Sequence, residues 1–174
     1  CTFKHTRTAN LDEYVGLPND HSQSYMHYMK EHLFNHIDLP ANQAYIPDGM
    51  AADLDAECRR YDDILASLGR IDLQILGIGH NGHIGFNEPS DSLNAGTHRV
   101  QLSEETIKAN ARFFNTMEEV PKQAITVGVG PIMKAKKLLL LAKGEGKADI
   151  LYQALKGPIT TQCPASLLQT HSNL

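Results

Sequence analysis

Apolar and polar positions along the chain switch between two periods, and the switching predicts helices set between short strands. From Ser22 to His36, Tyr25, Tyr28, Met29, His32, Leu33 and His36 recur at the spacing of an amphipathic helix. Asp53 has the side chain and position of an N-cap. The helix behind it presents Leu54, Cys58, Tyr61, Leu65 and Leu68 on one face, and Gly69 ends it. Ser103 caps a third helix reaching about Phe113. A fourth follows Gly144–Gly146 and points Ala148, Leu151, Ala154 and Leu155 inward.

Strand signals lie between these helices. Arg7–Leu11 is a short strand ending at Asp12-Glu13, and Ile71–Ile78 is an apolar run closing on Gly77 and Gly79. Ala124–Val129 and Leu138–Ala142 are β-rich or fully apolar and are expected to be buried on both faces. Strands alternating with helices imply βαβ units. The expected fold is α/β: a mostly parallel, doubly wound, Rossmann-like sheet flanked by helices in a single domain over 1–174. Such sheets bind ligands beyond the carboxyl ends of their strands, where Asp12, the Gly79–Glu88 loop and the Gly144–Lys147 turn all fall.

Composition narrows the function classes. A net charge of −4 argues against a nucleic-acid partner, which needs a clustered basic face. The apolar runs are too short to span a bilayer, so no membrane partner is expected. Cys1, Cys58 and Cys163 are odd in number and irregular in spacing, which points to a reducing, cytoplasmic compartment.

The densest chemistry lies in Gly77-Ile78-Gly79-His80-Asn81-Gly82-His83-Ile84-Gly85-Phe86-Asn87-Glu88-Pro89. The glycines, Gly77, Gly79 and Gly82 among them, let backbone approach a ligand. His83 suits proton transfer near neutrality, and Glu88 is placed to orient it, with Pro89 fixing the preceding backbone. Two blander readings stay open here: a turn-rich loop with surface histidines, and metal binding by His80, His83 and Glu88. Asp12 reads either as a general base at the sheet edge or as a turn former. Because adjacent strand residues face opposite ways, Asp12 and Glu13 are not expected to share a role. Lys147, after a glycine turn and in the first turn of a helix, suits a phosphate. Arg112 alone reads as a solvated cation or a snorkelling side chain, and Lys136-Lys137 as a solvated turn.

Leu11-Asp12-Glu13-Tyr14-Val15-Gly16-Leu17, the Gly79–Pro89 loop, Ala109-Asn110-Ala111-Arg112-Phe113-Phe114 and Val120-Pro121-Lys122 with Thr126–Gly130 resemble, in order and spacing, the glucosamine-6-phosphate deaminases. The resemblance implies an enzyme of amino-sugar metabolism, a hydrolase and isomerase. Its substrate would be glucosamine 6-phosphate, its products fructose 6-phosphate and ammonia, and it would use no metal or other cofactor. By position, Asp12 matches the base at C2, His83 the ring-opening group, Glu88 its carboxylate partner, and Arg112 and Lys147 the phosphate holders. Asn81 stands where many members have aspartate. It can orient His83 but not neutralise it, as in the Gram-positive form, and activity is expected to survive. Asp91, His98 and Val100 stand where activated members place basic side chains, which implies no response to N-acetylglucosamine 6-phosphate. The family also has a phosphate loop upstream of Cys1 and a strand beyond Leu174. The chain is therefore expected to be truncated at both ends and slow on its own. Rival readings are a 6-phosphogluconolactonase-like hydrolase and a non-catalytic sugar-phosphate sensor on the same fold.

Overall fold

The computed structural model describes residues 2–174; Cys1 lies outside the described residues. In chain order the elements are β1 (Thr8–Ala9), β2 (Asp12–Tyr14), α1 (Tyr25–His32), β3 (Ala44–Tyr45), α2 (Leu54–Leu68) and β4 (Gln74–Gly77). They continue as β5 (His98–Gln101), α3 (Glu104–Asn110), β6 (Gln123–Thr126), α4 (Val129–Lys134), β7 (Leu138–Leu141) and α5 (Ala148–Lys156). The mixed α/β class with parallel strand pairs is as expected. The chain divides into two compact units, Cys1–Tyr61 with Arg99–Ile125, and Asp62–His98 with Thr126–Leu174.

In the first unit β1 pairs in parallel with β3, and β6 lies between β2 and β5. The expected strand over Arg7–Leu11 divides: pairing stops at Ala9, and Asp12 opens β2 instead of closing β1. Tyr61 is fully buried beneath this edge. Its hydroxyl donates to the Asn10 carbonyl at 2.8 Å and lies 3.1 Å from that of Tyr45. Ala124 and Ile125 in β6 are fully buried, as their apolar run predicts.

Helix α1 is shorter than the period suggests. Ser24 caps it by accepting from the His27 N–H at 3.1 Å, and Leu33 leaves helical geometry at φ −139°. Residues 34–36 follow as a 3₁₀ turn. No residue of α1 is buried; instead Tyr25 stacks on Tyr14 with ring centroids 5.1 Å apart. Helix α2 starts as its sequence dictates, with Asp53 accepting from the Ala56 N–H at 2.9 Å. It ends at Gly69, whose φ of +78° only glycine adopts without strain.

In the second unit β4 and β7 pair in parallel from Gln74↔Leu138 to Gly77↔Leu141. Leu76 and Leu138 are buried, but Ile75, Leu139 and Leu141 are exposed. Burial of β7 on both faces is therefore corrected to burial on one, since its four leucines alternate across the pleat and only one side is packed. In α5 the buried stripe is Ile150 and Ala154, with Leu151 and Leu155 half-buried and Ala148 exposed. The expected face is thus rotated by part of a turn. A 3₁₀ segment over Pro164–Thr170 buries Ala165, Ser166 and Leu168.

Candidate active site

The loop after β4 brings Asn81, His83 and Glu88 together. Asn81 Nδ2 donates to Glu88 Oε2 at 2.6 Å, and His83 Nδ1 lies 2.7 Å from Asn81 Oδ1. Glu88 Oε2 is farther from His83 Nδ1, at 3.4 Å. These contacts settle the tautomer. An ionised carboxylate only accepts, so the Asn81 amide nitrogen faces Glu88 and its oxygen faces His83. His83 Nδ1 therefore carries a proton and donates to Asn81, and in the neutral imidazole the lone pair is on Nε2. Glu88 orients His83 mainly through Asn81, a relay that the sequence suggests only in part.

Two glycines are demanded by this packing. A Cβ at Gly79 would sit 2.3 Å from the His83 ring, and one at Gly82 would sit 2.6 Å from Cys163 Sγ. Gly82 also has φ +85°. Their N–H groups are occupied inside the loop, Gly79 donating to the His83 carbonyl and Gly82 to that of Gly79. A Cβ at Gly77 would meet open space. Sequence reasoning missed what grips the loop from outside. The Ala165 N–H donates to the Gly82 carbonyl at 2.8 Å, Ser90 N–H to Thr161, and Gln162 Nε2 to Ser90. No local signal marks residues some eighty positions away as the wall of this loop.

Lys147 closes a 3₁₀ turn at the start of α5, and its Nζ donates to the Ile78 carbonyl at 2.7 Å. The cation thus sits at the carboxyl end of β4, where the Gly144 turn delivers it. Among the described residues no group of three or more His, Cys, Asp or Glu side chains could hold a metal ion, so His80, His83 and Glu88 form no such cluster.

Asp12 and Arg112 belong to the first unit. The Asp12 carboxyl keeps some accessible surface but is packed closely enough that burial, reinforced by the Glu13 charge, pushes its pKa up to about 7. Glu13 points the other way and is fully buried. Its carboxylate accepts from the N–H groups of Tyr14, Tyr25 and Met26 at 2.8–2.9 Å, completing the start of α1. Burial raises its pKa, and those three bonds oppose the rise. The two neighbouring acids thus sit in separate surroundings, as strand geometry requires. Tyr14, two residues on from Asp12, accepts from Asn110 Nδ2 at 3.0 Å, and burial raises its pKa. Period-two spacing from Asp12 could have singled it out. Arg112 is exposed, with its guanidinium 4.7 Å from the Phe113 ring centroid. Two surface clefts, of about 440 and 530 Å³, are lined by none of the site residues named above.

A family model described as glucosamine-6-phosphate isomerases/6-phosphogluconolactonase matches residues 3–174. The chain is 54% identical over 173 residues to a glucosamine-6-phosphate deaminase of Geobacillus sp. (strain WCH70), covering 99% of this chain and 69% of that one. It is 55% identical over 172 residues to the deaminase of Lachnoclostridium phytofermentans, covering 99% and 73%. A solved monomeric glucosamine-6-phosphate deaminase superposes with a TM-score of 0.95 at 48% identity, over 99% of this chain and 71% of that one. A 6-phosphogluconolactonase from Thermotoga maritima shares the fold at a TM-score of 0.68 and 23% identity, over 89% of this chain and 64% of that one.

Proposed function

We propose that this chain, which belongs to the glucosamine-6-phosphate isomerase/6-phosphogluconolactonase family, converts glucosamine 6-phosphate and water to fructose 6-phosphate and ammonia. The observation that carries the mechanism is the Glu88–Asn81–His83 relay, which puts the lone pair of the neutral imidazole on Nε2. In this reading Nε2 takes the proton of the sugar O1 hydroxyl and returns it to the ring oxygen, opening the pyranose. Asp12 then removes the C2 proton and delivers it to C1, while a proton passes from the substrate nitrogen to O1. C1 becomes an alcohol and C2 an imine, to which water adds, and ammonia leaves once its nitrogen is protonated. A carboxyl with a pKa of about 7 suits this step, because it is substantially ionised yet still basic near neutrality. Each placed proton transfer contributes roughly 10²–10⁴-fold.

Lys147 and Arg112 are assigned the substrate phosphate as point charge and fork. Gly79 and Gly82, with their amides engaged inside the loop and their Cα faces packed on the His83 ring and Cys163, shape the backbone that carries His83, and Gly77, where a Cβ would meet open space, is the backbone a substrate can approach. The chemistry assigned here needs no metal or organic cofactor. No helix among the described residues is long and apolar enough to cross a membrane. Cys58 and Cys163 are buried, and the odd number and irregular spacing of the cysteines support a reducing compartment such as the cytoplasm.

The test is direct: purified chain is offered glucosamine 6-phosphate and, separately, 6-phosphogluconolactone. Ammonia release from the first supports the proposal. Lactone hydrolysis without ammonia release refutes it in favour of the lactonase, and binding with neither turnover favours the sensor.

A further inference from the structure

Between His83 and Glu88 lies a buried side chain, Asn87, to which the proposed reaction gives no role. We propose that Asn87, with Thr126, is a positioning residue that fixes the separation of His83 and Glu88. The kinetic part of this proposal rests on the deaminase reading; the geometric part does not.

The pair is joined by one tight turn. His83 immediately precedes Ile84 and Glu88 immediately follows Asn87. Ile84 and Asn87 form an isolated antiparallel bridge, with the Asn87 N–H donating to the Ile84 carbonyl at 3.1 Å. Gly85 supplies the positive φ of 58° inside the turn. The turn therefore sets how far apart the imidazole and the carboxylate emerge, and a glycine-rich loop does not hold such a turn still unaided.

Asn87 and Thr126 hold it. Asn87 Nδ2 donates to the Ile84 carbonyl at 3.0 Å and to the Val127 carbonyl at 2.9 Å. The Phe86 N–H donates to Thr126 Oγ1 at 3.1 Å. The turn is thereby tied at two points to the end of β6, one of the most deeply buried stretches of the chain. The amide orientation is unambiguous, because both partners are carbonyls and only the nitrogen can donate to them. Aspartate could make neither bond.

The remaining Asn87 atom shows that stability alone does not explain this residue. Asn87 Oδ1 is buried with no hydrogen-bond partner, a cost an apolar side chain of the same shape would avoid. Leucine is also tolerable for the carbonyls. Ile84 would keep the Asn87 N–H, and Val127 would keep the Thr126 hydroxyl at 3.4 Å. Asn87→Leu therefore removes the tie while leaving the fold its other bonds.

Three variants decide the matter: Asn87→Leu, Thr126→Val and Thr126→Ser. Each is measured by melting temperature, ammonia-release kinetics across pH, and the NMR resonances of the His83 ring. Asn87→Leu is expected to stay folded, lose about 100-fold in kcat and change KM by less than about threefold, because misplaced groups fail in the transition state and not in binding. Its pH profile and its His83 ring signals are expected to move. Thr126→Val moves the same readouts, and Thr126→Ser, which keeps the acceptor oxygen, stays near the parent. A folded Asn87→Leu with parental kcat and unmoved ring signals overturns the proposal. If Asn87→Leu does not fold, the Val and Ser variants at Thr126 decide by the same readouts. A parent chain that releases no ammonia refutes the deaminase reading, and the ring signals alone then decide the geometric proposal.

Discussion

Holding Asp12 where its pKa climbs to about 7 costs the fold stability and supplies the proposed reaction with a base. The ordinary value is near 3.8, so the folded value is raised. The stability this group contributes is complete below about pH 3.8 and is lost as pH rises through about 7. Asparagine does not titrate. Asp12→Asn should therefore match the parent's melting temperature near pH 3.8 and exceed it increasingly up to pH 7, with a plateau above. Turnover should fall roughly 10²–10⁴-fold while substrate binding stays largely intact. Thermal melts across pH, set beside kinetics, check both halves; a variant that keeps its turnover contradicts the assigned role. Asn81 gives a second prediction at this scale. A carboxylate 2.7 Å from His83 Nδ1 favours the protonated imidazole, so Asn81→Asp should move the acid limb of kcat/KM to higher pH. The melting temperature should change little, and a collapse in expression would count against the relay.

Among the elements, the β4–β7 ladder makes the clearest separation between sequence and structure. An all-leucine strand looks uniformly buried in sequence, yet Leu138 is 2% exposed and Leu139 42%. Leu138→Ala should cost about 2–5 kcal/mol through lost burial and the cavity left behind. Leu139→Thr should stay within about 0.5 kcal/mol, as surface changes do. Chemical denaturation of the two variants tests the one-sided packing, and equal losses would contradict it. Helix α2 was legible nearly to the residue because its cap, stripe and terminator are all local. Helix α1 was not, because what completes its start is the carboxylate of Glu13, on a different element. Nothing in the 22–36 spacing could announce that partner.

For the whole molecule, family membership carries a regulatory consequence. Asp91, His98 and Val100 occupy the positions where the resemblance expects basic side chains for an activator's phosphate. An acid and an apolar residue there oppose an anion, so N-acetylglucosamine 6-phosphate should leave the rate curve unchanged. Initial rates against substrate, with and without that compound, check this; a sigmoidal curve straightened by it would show the positions do not decide activation.

The sequence by itself determined the α/β class, the glycine loop after an apolar strand and the side chains proposed for acid–base chemistry. Periodicity, caps and loop motifs are encoded within a few residues of one another, and the family's long loop motif reads directly. Tertiary structure decided how those side chains are placed. Whether Glu88 reaches His83 directly or through Asn81, which side of Asp12 is crowded enough to lift its pKa, and what clasps Gly82 all depend on contacts between distant segments. Such contacts arise from packing and from the need to pair every buried polar group, and neither leaves a local mark in the order of residues.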